Sequence, residues 1–140
     1  MVILVDQYNL PEDIFEIVFA TSQQKIVAKI LVGTFKENNH ELTKSEMSLF
    51  ATRLHEGNLI TTIDEEPFKG KQVKLSYNKR QFYDRILTPM RSMGLIDYDL
   101  YKKTYRLSEN FNKLMMQIGL MWEKEVRKEN AGFKIKTEHN

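Results

Sequence analysis

The feature that most limits how this chain can fold is the residue pattern from Val73 to Leu107. A polar cap at Ser76 and apolar side chains at helical spacing predict a helix that ends at Gly94. Two short segments of alternating character, residues 95–98 and 104–107, then predict the two strands of a β-hairpin. A helix that runs directly into a hairpin is therefore expected in the middle of the chain.

Basic residues are concentrated in this same part of the chain. Residues 69–106 hold 10 Lys and Arg against 3 Asp and Glu, whereas residues 1–68 hold 5 against 11. The whole chain has a net charge of only +2, which conceals this division. A surface that serves solubility alone normally mixes the two signs of charge. The concentration favours a polyanionic partner, and a charged face exposed only to solvent is the alternative.

Further helices are predicted on both sides of the central segment. Capping boxes begin helices at Thr21 and Thr43, and the second of these is expected to end at Gly57. A long last helix capped by Ser108 carries an apolar stripe, and residues 130–140 are expected to form a flexible tail. Residues 1–20 are an amino-terminal extension with a short helix that starts near Pro11.

Two places are expected to depart from regular structure. Residues 58–75 contain acidic residues, a proline and a glycine, so a loop is predicted there, with at most one edge strand over 71–75. Pro89 lies inside the predicted central helix and lacks a backbone N–H. We therefore expect a kink in the last turn of that helix.

Composition excludes several classes of protein. A chain of 140 residues suits one domain, and without cysteine it forms no disulfide. The sequence has no run of about 18 apolar residues, which a membrane span needs, and no secretory signal. A cytoplasmic protein without a membrane span is therefore expected. His40, His55 and His139 lack the spacing of metal ligands, and no catalytic motif is found. The acids at residues 64–66 could in principle bind a divalent ion, but three acids beside a proline are typical of an exposed loop. We expect no enzyme activity, metal or cofactor.

The predicted order of three helices, a hairpin and a further helix resembles the winged helix-turn-helix family of small bacterial and archaeal transcriptional regulators. Residues 89–94 (PMRSMG) resemble the end of the family's recognition helix, and residues 105–108 (YRLS) its Tyr-x-Leu-Thr/Ser return strand. The resemblance covers about residues 22–125. It implies an α+β, mainly α fold, with a three-helix core and a β-hairpin wing in residues 21–107 and a carboxy-terminal helix in residues 108–129. The long segment at 58–75 departs from the family's short turn.

The resemblance also implies a function, namely sequence-specific binding of double-stranded DNA by a transcriptional regulator. Helix 76–93 would enter the major groove, and the wing at residues 99–103 would lie on the backbone or in the minor groove. The residues expected to contact DNA are Tyr77, Asn78, Arg80, Gln81, Arg85, Thr88, Tyr101, Lys102 and Lys103. A winged-helix adaptor that binds protein in a larger assembly is one alternative. A role in DNA replication or partition is another.

Two apolar segments, residues 14–19 and the stripe of the last helix, carry more apolar side chains than the core of one small domain needs. We expect them to form a homodimer, since two recognition helices on a two-fold axis match palindromic sites. The alternative is that both segments pack inside the monomer. The residues expected at the dimer interface are Ile14, Phe15, Phe19, Phe111, Met115, Ile118 and Trp122.

Overall fold

A computed structural model describes residues 5–63 and 71–129 of the chain. Within them the fold is α+β and mainly helical, with a small three-stranded antiparallel sheet and a separate two-stranded hairpin. The predicted class is therefore confirmed at this level. The tail predicted for residues 130–140 and the acidic residues 64–66 lie outside the described part of the chain.

The amino-terminal segment packs onto the first long helix. Helix α1 (Ile14–Val18) is capped by Asp13, and helix α2 (Ser22–Glu37) is capped by Thr21, as predicted. Two ion pairs, Lys25 with Glu16 at 2.6 Å and Lys29 with Asp13 at 2.7 Å, join the two helices. The rings of Phe15 and Phe19 stack on each other; Phe19 belongs to the core and Phe15 packs against it.

Strand β1 (Glu41–Thr43) and helix α3 (Lys44–His55) follow α2. Thr43 and Glu46 form the predicted capping box, in which each side chain accepts a hydrogen bond from the other residue's backbone N–H. Gly57 ends α3 with φ +71° in a Schellman motif, in which Asn58 N–H donates to the Arg53 carbonyl. Both predicted ends of this helix are confirmed.

Residues 59–63 and 71–75 pair as two antiparallel strands, where the sequence predicts a loop with at most one edge strand. Strand β2 (Leu59–Ile63) pairs antiparallel with strand β3 (Lys71–Leu75), with Leu59 opposite Leu75. The edge strand expected over 71–75 is present, and the loop prediction is wrong for residues 59–63. Strand β2 is stabilised by pairing with β3, and its β-branched residues Ile60, Thr61, Thr62 and Ile63 themselves favour a strand, a signal that the loop prediction did not use.

The central helix, α4, spans residues 79–92 and has three consecutive segments: Lys79–Phe82, a π-helical turn at Tyr83–Leu87, and Thr88–Ser92. Its cap is Asn78, whose side chain accepts from Gln81 N–H, so the cap predicted at Ser76 is wrong by two residues. The sequence predicts a kink in the last turn, but the irregularity is a π turn that precedes Pro89, in which Thr88 N–H donates to the Tyr83 carbonyl; the last segment is α-helical.

Gly94 ends α4 with φ +79° and leads into the predicted hairpin. Strand β4 (Ile96–Asp99) pairs with strand β5 (Thr104–Leu107), which also pairs with β1, so that the sheet order is β1-β5-β4. Lys44 N–H donates to the Lys103 carbonyl at 2.9 Å, which holds the hairpin against the start of α3. The hairpin is therefore tied to the helical core on both of its strands.

The last helix, α5 (Asn110–Arg127), begins beside Gly94 but has no buried residue along its 18 residues. The core instead lies between α2, α3, α4 and the sheet. Its most completely buried side chains are Val27, Leu31, Phe35, Met47, Leu54, Phe82, Ile86, Leu87, Met90 and Ile96.

Candidate nucleic-acid interface

Helix α4 is held by its apolar face against α3. Phe82 and Ile86 are fully buried, and the Phe82 ring lies 5.5 Å from the ring of Phe50. At the start of α4, Lys79 N–H donates to His55 Nδ1 at 3.0 Å, and Lys79 Nζ lies 3.0 Å from Thr52 Oγ1. These contacts place the first turn of α4 against the last turn of α3, and they leave the opposite face of α4 open to solvent.

That open face carries most of the side chains predicted to contact bases. Arg80, Gln81, Arg85 and Thr88 are all exposed. The Nε atom of Arg80 lies 3.8 Å from Asp84 Oδ2, a loose pair between two largely solvated groups. Such a pair contributes little to stability, so the Arg80 guanidinium is available to another partner.

Two residues predicted to contact DNA are placed differently by the structure. Tyr77 is only 7% exposed and belongs to the core, so its assignment to the outward face is wrong. It precedes the helix, where helical spacing does not apply, and its N–H donates to the Leu54 carbonyl. Asn78 is exposed, but its side-chain oxygen is used as the helix cap.

The tip of the β4–β5 hairpin is an ordered turn with exposed side chains. Asp99 Oδ1 accepts hydrogen bonds from the N–H groups of Tyr101 and Lys102 at 2.9 and 3.1 Å. The Lys102 hydrogen bond is the main reason that the pKa of Asp99 is lowered, since the turn favours the ionised carboxylate. Lys102 and Lys103 are exposed, and Lys103 has φ +50°. The turn therefore presents two ammonium groups from a defined backbone.

Apolar atoms are exposed at the same tip. Leu100 is 77% exposed and Tyr101 is 98% exposed. Sequence reasoning selected Tyr101 but missed Leu100, although both stand beside the lysines. An exposed leucine between strands is a signal that could have identified it, since apolar side chains at a basic tip suit the minor groove.

A third cationic group lies where α4 meets the hairpin. The Arg91 guanidinium is 5.3 Å from the centre of the Tyr98 ring and 5.9 Å from that of Tyr105. Arg106 pairs loosely with Asp97 across the strands, at 3.7 Å. Helical spacing puts Arg91 on the same outward face as Arg80 and Thr88, but neither Arg91 nor Arg106 was among the residues selected for DNA contact, and the approach of Arg91 to the hairpin rings depends on tertiary packing. The basic surface thus extends from α4 onto the hairpin.

The residues predicted for a dimer interface fall into two groups. Phe19 is 6% exposed and Phe15 packs against the core, so the amino-terminal segment packs inside the monomer and its assignment to an interface is wrong for these two residues. Ile14 remains 40% exposed. On α5, Phe111 and Met115 are half-buried, whereas Ile118 and Trp122 are 46% and 70% exposed. The exposed apolar face lies on α5.

Two further classes of site find no support among the described residues. No group of three His, Asp or Glu side chains in residues 5–63 and 71–129 could hold a metal ion. None of the helices in those ranges is long and apolar enough to cross a membrane.

Comparison with known proteins adds nothing to this picture. No family model matches the chain, and no curated protein or solved structure is significantly similar to it.

Proposed function

We propose that this protein is a winged-helix protein that binds double-stranded DNA, with α4 in the major groove and the β4–β5 hairpin as the wing. The observation that carries the proposal is the direct junction, at Gly94, between a helix with an exposed basic face and a hairpin with two exposed lysines at its tip. The sheet order β1-β5-β4 supports the same arrangement, since β1 lies between the first two core helices in the sequence.

The dimensions of α4 suit this role. A helix of 14 residues is about 21 Å long, and the major groove is about 12 Å wide, so α4 enters with one face against the bases. Arg80 and Gln81 lie in its first turn, next to the end that reads bases in helix-turn-helix proteins. Arginine bonds guanine and glutamine bonds adenine, each through two hydrogen bonds.

A double substitution on α4 tests the proposal. We expect Arg80→Ala with Arg85→Ala to weaken binding to a 30-bp mixed-sequence duplex by more than about 1 kcal/mol in a gel-shift series. The matched control is Arg127→Ala with Lys124→Ala on α5, which removes the same charge far from α4 and should change the affinity little. Equal losses for the two variants would remove α4 from the interface.

The wing is tested by the salt dependence of binding. If Lys102 and Lys103 each neutralise a phosphate, replacing both with glutamine should reduce the slope of log K against log salt by roughly one to two units. An unchanged slope between about 50 and 200 mM salt would show that the wing lies away from the DNA. Selection of sites from a random duplex pool would then define the operator, and its half-site spacing would test a role in transcription.

We propose further that the protein acts as a homodimer in which a second copy covers the apolar face of α5. The exposed Ile118, Met121 and Trp122 support this, since soluble proteins rarely leave such a stripe open to water. The same face favours a second candidate function, an adaptor that docks on another protein. A DNA-binding protein would retain duplex DNA in a salt-sensitive manner, whereas an adaptor would not.

A further inference from the structure

Arg91 is held in place by two tyrosine rings. Its guanidinium carbon lies 5.3 Å from the Tyr98 ring centre and 5.9 Å from the Tyr105 ring centre. The rings are themselves in contact, with centres 4.5 Å apart, and Tyr105 is 8% exposed. The partners of Arg91 thus belong to the folded hairpin, and its side chain bridges α4 and the wing.

The two rings engage the positive charge of Arg91 but none of its hydrogen-bond donors. A guanidinium has five N–H donors in one plane. Among the described residues no hydrogen bond or ion pair engages the Arg91 guanidinium. A cation with a restricted side chain and free coplanar donors is organised for an oxyanion with two acceptor oxygens.

The surroundings of Arg91 form a small cleft between α4 and β4. The cleft has a volume of about 290 Å³ and is lined by Thr88, Arg91, Ser92, Ile96, Asp97 and Tyr98. The hydroxyl groups of Thr88 and Ser92 are further possible donors to an anion. The only acid in the lining, Asp97, faces Arg106 across the hairpin at 3.7 Å, which offsets its charge.

We infer that Arg91 binds one phosphate of the DNA backbone in this cleft, between the recognition helix and the wing. The inference rests on the proposed function, since it takes the DNA held by α4 as the source of the phosphate. A phosphate, and not a base, is the partner that the cleft favours, because the cleft lies at the junction of the two elements that would straddle one strand. The contact positions the protein on DNA without reading its sequence.

The test compares Arg91→Gln with Arg127→Gln, whose parent residue lies on α5 and pairs with Glu123. Binding is measured by fluorescence anisotropy with two 30-bp duplexes, one rich in A·T and one rich in G·C, from about 50 to 200 mM salt. Arg91→Gln should weaken binding to both duplexes by the same factor, roughly tenfold, and reduce the salt slope by about one unit. Arg127→Gln should match the wild-type protein.

A second pair of variants tests the role of the rings. Tyr98→Phe keeps an aromatic face under Arg91 and should bind DNA like the wild-type protein, whereas Tyr98→Leu should weaken binding to both duplexes in the same direction as Arg91→Gln. Thermal unfolding of each variant checks that the hairpin is intact. Arg91→Lys should keep the salt slope but recover only part of the affinity, because lysine lacks the planar donor pair.

Each contrary outcome has a distinct meaning. If wild-type protein shows no salt-dependent binding to either duplex, the proposed function fails. If wild-type protein binds and Arg91→Gln matches Arg127→Gln, DNA binding stands and the phosphate contact is overturned. A loss that differs more than about threefold between the duplexes would identify Arg91 as a base reader and would equally overturn it.

Discussion

Gly94 carries the junction between α4 and the wing through its backbone conformation. Its φ of +79° is strained for any L side chain, and an added Cβ would lie 2.8 Å from the backbone nitrogen of Phe111. We expect Gly94→Ala to reduce the free energy of unfolding by at least about 2 kcal/mol, measured by urea denaturation. Gly33 in α2 is the matched control, since its Cβ would meet nothing within 4 Å. Gly33→Ala should raise the free energy of unfolding by about 0.5–1 kcal/mol, and equal effects at the two sites would contradict this account.

Glu46 makes the stability of the fold depend on pH. The hydrogen bond from Thr43 N–H holds the pKa of the Glu46 carboxyl below its usual value of 4.5. A group whose pKa is lowered by folding contributes stability above its unfolded pKa and loses it as the pH falls through the folded value. We expect wild-type protein to lose more stability than Glu46→Gln between about pH 5 and pH 3, because glutamine can still close the capping box but does not titrate there. Parallel pH profiles from urea denaturation would show that this carboxylate is not involved.

At the scale of elements, the β2–β3 hairpin is an insertion whose two ends are already joined by the core. Leu59 lies opposite Leu75, and just outside them Tyr77 N–H donates to the Leu54 carbonyl at 3.0 Å. The end of α3 and the start of α4 are therefore held together without the hairpin.

Removal of the insertion tests this independence. In a variant in which Asn-Gly replaces residues 60–74, the paired Leu59 and Leu75 would be joined by a two-residue turn. We expect cooperative thermal unfolding to remain, with a free energy of unfolding within about 1 kcal/mol of the wild-type value, since loop length has only a logarithmic effect. Loss of cooperative unfolding would show that the hairpin supports the core. The DNA affinity of the same variant measures the hairpin's own contribution to binding.

At the scale of the whole molecule, the exposed apolar face of α5 is the feature that contacts within one chain do not explain. The helix is about 27 Å long, and an isolated helix of this length is marginal in water. A Cβ added at Gly119, in the middle of α5, would meet no atom within 4 Å, so close packing within the chain does not explain this glycine. The exposed apolar face of α5 continues as far as Val126, which is 63% exposed. A second copy would supply the missing contact along this face.

We expect light scattering at micromolar concentration to give twice the chain mass of 16.6 kDa. Trp122→Glu places a charge in the apolar face of α5 and should give the single-chain mass. Leu120→Glu is the matched control, because Leu120 is 60% exposed on the opposite side of the same helix, and it should leave the dimer intact. A wild-type monomer, or equal effects of the two substitutions, would contradict dimerisation through this face.

Features whose causes are local could be predicted from the amino-acid sequence. The capping box of α3, the glycine ends at Gly57 and Gly94, and the two strands after Gly94 all depend on residues a few positions apart. The concentration of charge in residues 69–106 was also visible without a structure. For the same reason the exposed Arg80, Arg85, Lys102 and Lys103 could be selected correctly as surface residues.

Features that depend on distant partners could not be predicted from the sequence and are visible only in the folded chain. Strand β1 has three residues and forms because β5, about 60 positions later, supplies its hydrogen bonds. Tyr77 and Phe19 became core residues because other elements cover them, and the stack of Arg91 on Tyr98 and Tyr105 exists only once the hairpin folds back on α4. Caps and turns are stabilised by neighbours in the chain, whereas burial and pairing are stabilised by whatever the fold brings alongside.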